Sequence, residues 1–121
     1  MFERTEAFSG FSVDDIPAAQ QFYGETLGVR VSEEYGMLTL HIAGDRDILV
    51  YPKDDHTPAT YTILNFPVDD IASAVRQLAD RGIRFETGEG IDDDGIMRQR
   101  GPLIAWFKDP AGNFLSVLQG D

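Results

Sequence analysis

The sequence predicts an α+β domain made of two βαβββ modules, and three observations carry that prediction. The segment FSGFSVDDIPAAQQFYGETLG at residues 8–28 is echoed by ILNFPVDDIASAVRQLADRG at residues 63–82, gap-free at an offset of 55 through the first part of the helix. Phe11 falls on Phe66, Val13 on Val68, Asp14-Asp15 on Asp69-Asp70, Ile16 on Ile71 and Ala19 on Ala74, and one extra residue in the first copy then brings Gly28 over Gly82. Each copy has one helical pattern followed by short extended segments. A chain of 121 residues holds two such copies and little else.

The elements follow in order. In AFSGFSV, residues 7–13, Ser9, Phe11 and Val13 alternate onto one face while Phe8, Gly10 and Ser12 take the other, which describes a first strand. Asp14 and Asp15 suit the cap of the next helix, and Pro17 suits its first turn, where its missing N–H has no partner to lose. Ile16, Ala19, Tyr23 and Leu27 recur at helical spacing, and Gly28 closes the helix. Extended segments are expected at VRVSE from Val29, MLTLHIA from Met37 and DILVYP from Asp47. Lys53 to Ala59, flanked or broken by Pro52 and Pro58, reads as a linker.

The second half predicts a strand over Tyr61–Val68, a helix over Ile71–Arg81 and a strand over Ile83–Glu86. Thr87–Pro102 reads as irregular, with Asp92, Asp93 and Asp94 in a flexible solvated loop. These acids are consecutive rather than alternating, unlike a calcium loop. LIAWFK and NFLSVLQ, joined by DPAGN, form a closing hairpin. The reading is one domain over 1–121, with a first module at about 5–52, a linker at 53–59 and a second module at about 60–121.

Composition narrows the chemistry. There are no cysteines, which excludes disulfides, thiolate metal sites and a cysteine nucleophile. Ten Lys and Arg against 21 Asp and Glu give a net charge of −11, so nucleic acid is not an expected partner. No apolar run is long enough to span a bilayer and the N-terminus has no secretory pattern, so no membrane partner and a cytoplasmic location are expected.

With VDDI leading into each helix, FYGETLG ending the first and FKDPAGNFLSVLQ near the C-terminus, the chain closely resembles the vicinal oxygen chelate superfamily. That group includes glyoxalase I, extradiol dioxygenases, and bleomycin- and fosfomycin-resistance proteins. The resemblance covers nearly the whole chain. It implies the glyoxalase/bleomycin resistance/dihydroxybiphenyl dioxygenase-like fold, two modules forming a curved mixed sheet around a cleft, and a homodimer.

Metal-using members of the superfamily hold a divalent ion with His, Gln or Glu on the first strand of each half and Glu on the last. Carried over by position, those places fall at Phe8, Ile63, Val50 and Ser116. Phe, Ile and Val offer no lone pair and a neutral Ser hydroxyl is a poor donor, so no metal and no cofactor are expected. The expected function is metal-independent binding of a small organic molecule in the cleft, as in drug sequestration or ligand carriage. The rivals are an enzyme with a displaced metal site using His41 with Glu33 or Glu34, and a protein-interaction module.

The candidate ligand-binding residues are Phe8, Tyr35, His41, Val50, Ile63, Asn65, Arg98, Trp106 and Ser116. His41 is either a ligand contact or a hydrogen-bonded structural histidine, and Asn65 either orients a ligand or bonds a neighbouring strand. Trp106 is a core residue or an aromatic anchor. Arg98 and Arg100 clamp an anion or pair with nearby acids. His56, in the linker, is expected to be solvated.

Overall fold

The computed structural model describes residues 1–99 and 101–120. Arg100, named above, lies outside the described residues. The chain divides into two compact units, residues 1–57 and 58–121.

In the first unit, β1 (Ser9–Val13) leads to a helix α1 (Ile16–Gln21), followed by β2 (Arg30–Glu34), β3 (Met37–Ile42) and β4 (Arg46–Pro52). The strands form one mixed sheet in the order β1-β4-β3-β2, with β1 parallel to β4 and the other pairs antiparallel. The predicted cap is present: the Asp15 carboxylate accepts the Ala18 N–H at 3.0 Å, satisfying a donor that the first helical turn leaves unpaired. Strict alternation then sorts the sheet. Val13, Leu38, Leu40 and Val50 share the face that α1 covers, and all four are buried with Ile16, Ala19 and Tyr23.

The first helix departs from the expected single α-helix. Its second half, Phe22–Thr26, is π-helical, with the Leu27 N–H donating to the Phe22 carbonyl at 2.9 Å. A π-turn absorbs one residue more than an α-turn. That is where the extra residue of the first copy goes, so that Gly28 can still close the helix at φ 73°. Tyr23, at the π-turn, is fully buried and packs on the rings of Phe11 and Phe22 at 5.8 and 5.1 Å. At the β2–β3 turn, Tyr35 and Gly36 both take positive φ, 55° and 76°, as the tightest hairpin loop requires.

The second unit repeats the order with β5 (Thr62–Pro67), α2 (Ile71–Asp80), β6 (Ile96–Met97), β7 (Leu103–Lys108) and β8 (Phe114–Gln119), in a sheet ordered β5-β8-β7-β6. Asp70 caps α2 through the Ser73 N–H at 3.1 Å, as Asp15 caps α1. Ile71 and Val75 on α2 are buried with Ala105, Phe107, Leu115 and Val117 on the strands it packs against.

Two expectations for this half are corrected. Ile83–Glu86 is no regular strand; it touches the edge of β7 through a single bridge, Phe85 to Phe107, and the Glu86 N–H donates to the Trp106 carbonyl at 2.8 Å. The strand proper, β6, lies further along inside the segment expected to be irregular, where it pairs with Ala105 and Ile104. Asp92 explains that order, because its carboxylate accepts the Asp94 and Ile96 N–H groups, both at 2.9 Å, closing a turn ahead of β6. The acidic run is thus a hydrogen-bonded turn and not a featureless loop.

The DPAGN turn is also more than a turn. Asp109 and Asn113 are buried, and the Asp109 carboxylate accepts the Ala111 N–H, the Asn113 N–H and the Asn113 side-chain amide. Among the described residues, no helix is long and apolar enough to cross a membrane.

Candidate functional site

Each sheet has one face under its helix and one open face, and pairing register decides which side chains the open face carries. In the second unit, Trp106 sits opposite Ser116, Ser116 opposite Asn65, and Phe114 opposite both Lys108 and Thr62. These six side chains therefore share the face away from Leu115 and Val117. The facing of Trp106, which alternation alone left open, is settled.

Two polar contacts organise that face. The Trp106 indole N–H donates to the Thr62 hydroxyl at 3.1 Å, and the Ser116 hydroxyl donates to the Asn65 side-chain carbonyl at 2.6 Å. Beside the first contact is a pocket of about 230 Å³, lined by Thr60, Tyr61, Thr62, Glu86, Trp106 and Phe114. Tyr61 is 71% exposed at its rim. The Glu86 carboxylate lies 3.7 Å from the Lys108 ammonium, which in turn stands 5.0 Å from the centre of the Phe114 ring. Three aromatic rings, a hydroxyl with a proton still to give and one carboxylate suit a planar molecule with a polar or cationic edge.

Sequence reasoning placed Ile63 on this face and passed over Thr62 and Glu86. The cause is a bulge. Pairing shifts between Thr62 and Leu64, so Thr62 lies opposite Phe114 and Ile63 is the extra residue. Strict period-2 counting cannot see such a shift. Glu86 was assigned to a strand but not to a face; its side chain is placed by the pocket it lines and by its approach to Lys108.

The open face of the first sheet carries Gly10, Ser12, Ser32, Thr39, His41, Asp47, Leu49 and Tyr51 by the same register argument. His41 contacts the Ser32 hydroxyl through Nε2 at 2.8 Å and the Asp47 carboxylate through Nδ1 at 3.1 Å. Glu33 pairs with Leu38 on the other face, and Glu34 shares the face of His41 but sits opposite Met37, four residues along β3; among the described residues no three His, Asp or Glu side chains gather there. His56 is not simply solvated; its Nδ1 lies 2.6 Å from the Ser12 hydroxyl.

The remaining candidates are scattered. Val50 is fully buried opposite Leu38 beneath α1, so it cannot touch a ligand; the positions beside it, Leu49 and Tyr51, hold the open face. The carry-over erred by one residue, and one residue in a strand is a change of face. Phe8, just ahead of β1, is 70% exposed, and Tyr35 is 90% exposed at its hairpin tip. Arg98 donates to Asp92 at 2.8 Å, and that hydrogen bond, with the Ile96 N–H, holds the Asp92 carboxyl below the usual carboxylate range.

The four positions inferred for a metal therefore supply two hydrocarbons that face no common site, a bulged isoleucine and a hydroxyl already bonded to Asn65. Among the described residues, no three His, Asp or Glu side chains are grouped to share a cation. This donor set does not fit a divalent ion.

Comparison with known proteins agrees with the fold. Residues 7–117 match the family model of the Glyoxalase/Bleomycin resistance protein/Dioxygenase superfamily. The chain is similar in structure to a glyoxalase family protein from Enterococcus faecalis, at 23% identity and TM-score 0.71 over 98% of this chain and 99% of that one. It is similar to an antibiotic binding protein from Streptomyces sp., at 21% identity and TM-score 0.71 over 98% of each chain. A fosfomycin resistance protein from Listeria monocytogenes shares 14% identity and TM-score 0.72 over 95% of this chain and 92% of that one. No curated protein matches the sequence.

Proposed function

We propose that this chain, which belongs to the Glyoxalase/Bleomycin resistance protein/Dioxygenase superfamily, binds a small planar organic molecule against the open face of its second sheet, without a metal ion. The observation that carries this reading is the pocket in which Trp106, Tyr61 and Phe114 surround the Thr62 hydroxyl and the Glu86 carboxylate. An aromatic ligand would exchange water for these ring faces, while Thr62 and Glu86 would fix its polar edge. The Lys108 ammonium already occupies the space between Glu86 and Phe114, which is the kind of position a ligand's own cation would take.

Sequestration or carriage is favoured over turnover at this pocket, because the residues at the family's metal positions cannot supply electrophilic catalysis. An antibiotic binding protein among the structural neighbours supports the ligand class. Two copies of the chain are expected to associate in solution, which sedimentation would check.

Trp106 is the sole tryptophan, so its fluorescence reports on this pocket alone. Titration with a panel of aromatic and cationic antibiotics should give saturable quenching by at least one member. Trp106→Phe should remove the signal, and Glu86→Gln should weaken a cationic ligand by about tenfold, read by calorimetry. Affinity should be unchanged after chelator treatment. Affinity that collapses on chelation and returns with a divalent ion would defeat the metal-free reading, and a panel without saturable quenching would defeat the pocket.

A further inference from the structure

The open face of the first sheet carries an arrangement that ligand binding in the other unit does not use. Arg30 on β2 lies opposite His41 on β3, and His41 lies opposite Asp47 on β4. Ser32 follows Arg30 by two residues, so Arg30, Ser32, His41 and Asp47 all project from one face. The Asp47 carboxylate can only accept, so with a neutral ring it fixes the proton on His41 Nδ1, at 3.1 Å. That leaves the Nε2 lone pair to accept the Ser32 hydroxyl at 2.8 Å. The His41 side chain is 23% exposed and held at both nitrogens, whereas Ser32 is exposed and reachable.

A hydroxyl on a base, and the base on an orienting carboxylate, is the geometry by which serine is made nucleophilic on unrelated folds. We propose that Ser32, His41 and Asp47 form such a relay and hydrolyse small activated carboxylic esters. Ser32 Oγ attacks the ester carbonyl carbon as its proton passes to His41 Nε2. The carbonyl–oxygen bond to the leaving group then breaks, and His41 returns the proton to that departing oxygen. Water, giving a proton to His41 Nε2, attacks the acyl-Ser32 carbonyl carbon; the bond from that carbon to Ser32 Oγ breaks, His41 returns the proton to Oγ, and the carboxylic acid leaves. Arg30 is the cation that shares this face, and it offers the charge opposite the developing oxyanion. The open setting makes the relay weaker than an enclosed one, because water competes for every charge it stabilises.

The test is hydrolysis of p-nitrophenyl acetate, with acid quenching and peptide mass spectrometry to locate the acetyl group. Wild-type protein should turn over above the buffer rate and carry acetyl on Ser32. Ser32→Ala should lose both turnover and adduct, and Asp47→Asn should lower turnover by about tenfold or more by favouring the wrong tautomer. His41→Gln should abolish turnover, while His56→Gln, which removes the other imidazole, should retain it. Circular dichroism and melting curves identify any variant that fails to fold, and Ser32→Cys, nearly isosteric, should still form the acyl adduct. Acetyl found only elsewhere, turnover surviving Ser32→Ala, or a wild-type rate equal to that of folded His41→Gln would each overturn the proposal.

Discussion

Gly95 shows how much one absent methyl group can matter. Its backbone is at φ +90°, and an added Cβ would stand 2.6 Å from the Cβ of Phe85, closer than two non-bonded carbons can approach without movement. Phe85 is itself pinned, because its bridge to Phe107 brings the two rings to 5.6 Å, and Phe107 is fully buried. The clash cannot be relieved by swinging a free side chain away. Gly36 is the contrast: its φ is +76°, but a Cβ there meets nothing within 4 Å. Gly36→Ala should therefore cost about 1 kcal/mol, the backbone term alone, and Gly95→Ala about 2–3 kcal/mol, with overpacking added. Urea melts of the two variants check the order, and equal losses would mean that Phe85 moves freely. The same sensitivity to single residues limited what the sequence could disclose. The carry-over of Val50 failed by one position, and Ile63 displaced Thr62 because a bulge leaves no mark in an apolar run.

At the scale of elements, what could be read was what is local. Asp15 was legible as a cap, and the repeat carries the same reading to Asp70, because a cap needs only its own carboxylate and a backbone N–H three residues on. The strand β3 was legible as a short extended segment, and β7 and β8 from the DPAGN turn that joins them. The π-turn was not, since the choice between α and π hydrogen bonding rests on one inserted residue that periodicity absorbs. Nor was β6, two residues long, because its formation depends on a side chain four residues earlier. Asp92 accepts from Asp94 and Ile96 and from Arg98, and this network turns the acidic run into an ordered approach to β6. Its carboxyl is held below the ordinary value of 3.8, chiefly by the Arg98 hydrogen bond and then by the Ile96 N–H. A lowered folded-state pKa means the contribution is fully present above about 3.8 and is lost as pH falls through the lower folded value. Carbon-detected NMR should place the Asp92 midpoint below 3.8, with the Ile96 amide following it. Arg98→Gln should move that midpoint upward, and an unmoved midpoint would show that the backbone donors alone set it.

Over the whole molecule, charge is the property the sequence states most directly, and its consequence differs from that of any single pair. The formal net charge is −11, so the folded chain concentrates repulsion that the unfolded chain spreads out. Against this stand a few exposed pairs, Arg98 with Asp92, Lys53 with Asp55 and Lys108 with Glu86. Salt weakens both effects, so the sign of its influence on stability tells which is larger. Exposed pairs contribute about 0–1 kcal/mol each, and they reach only their own partners. The excess of acids acts over a screening length that is roughly 30 Å at 0.01 M salt and about 8 Å at 0.15 M, so at low salt each unpaired carboxylate repels many others. Repulsion should win. Raising potassium chloride from about 0.01 to 0.15 M, a range set by that change in screening length, should raise the melting temperature at neutral pH. The gain should level off once the screening length falls below the spacing between neighbouring acids. Over the same range, duplex DNA should show no binding, because the excess of acids repels a polyanion. A melting temperature that falls with salt would mean that the paired charges, few as they are, outweigh the net excess.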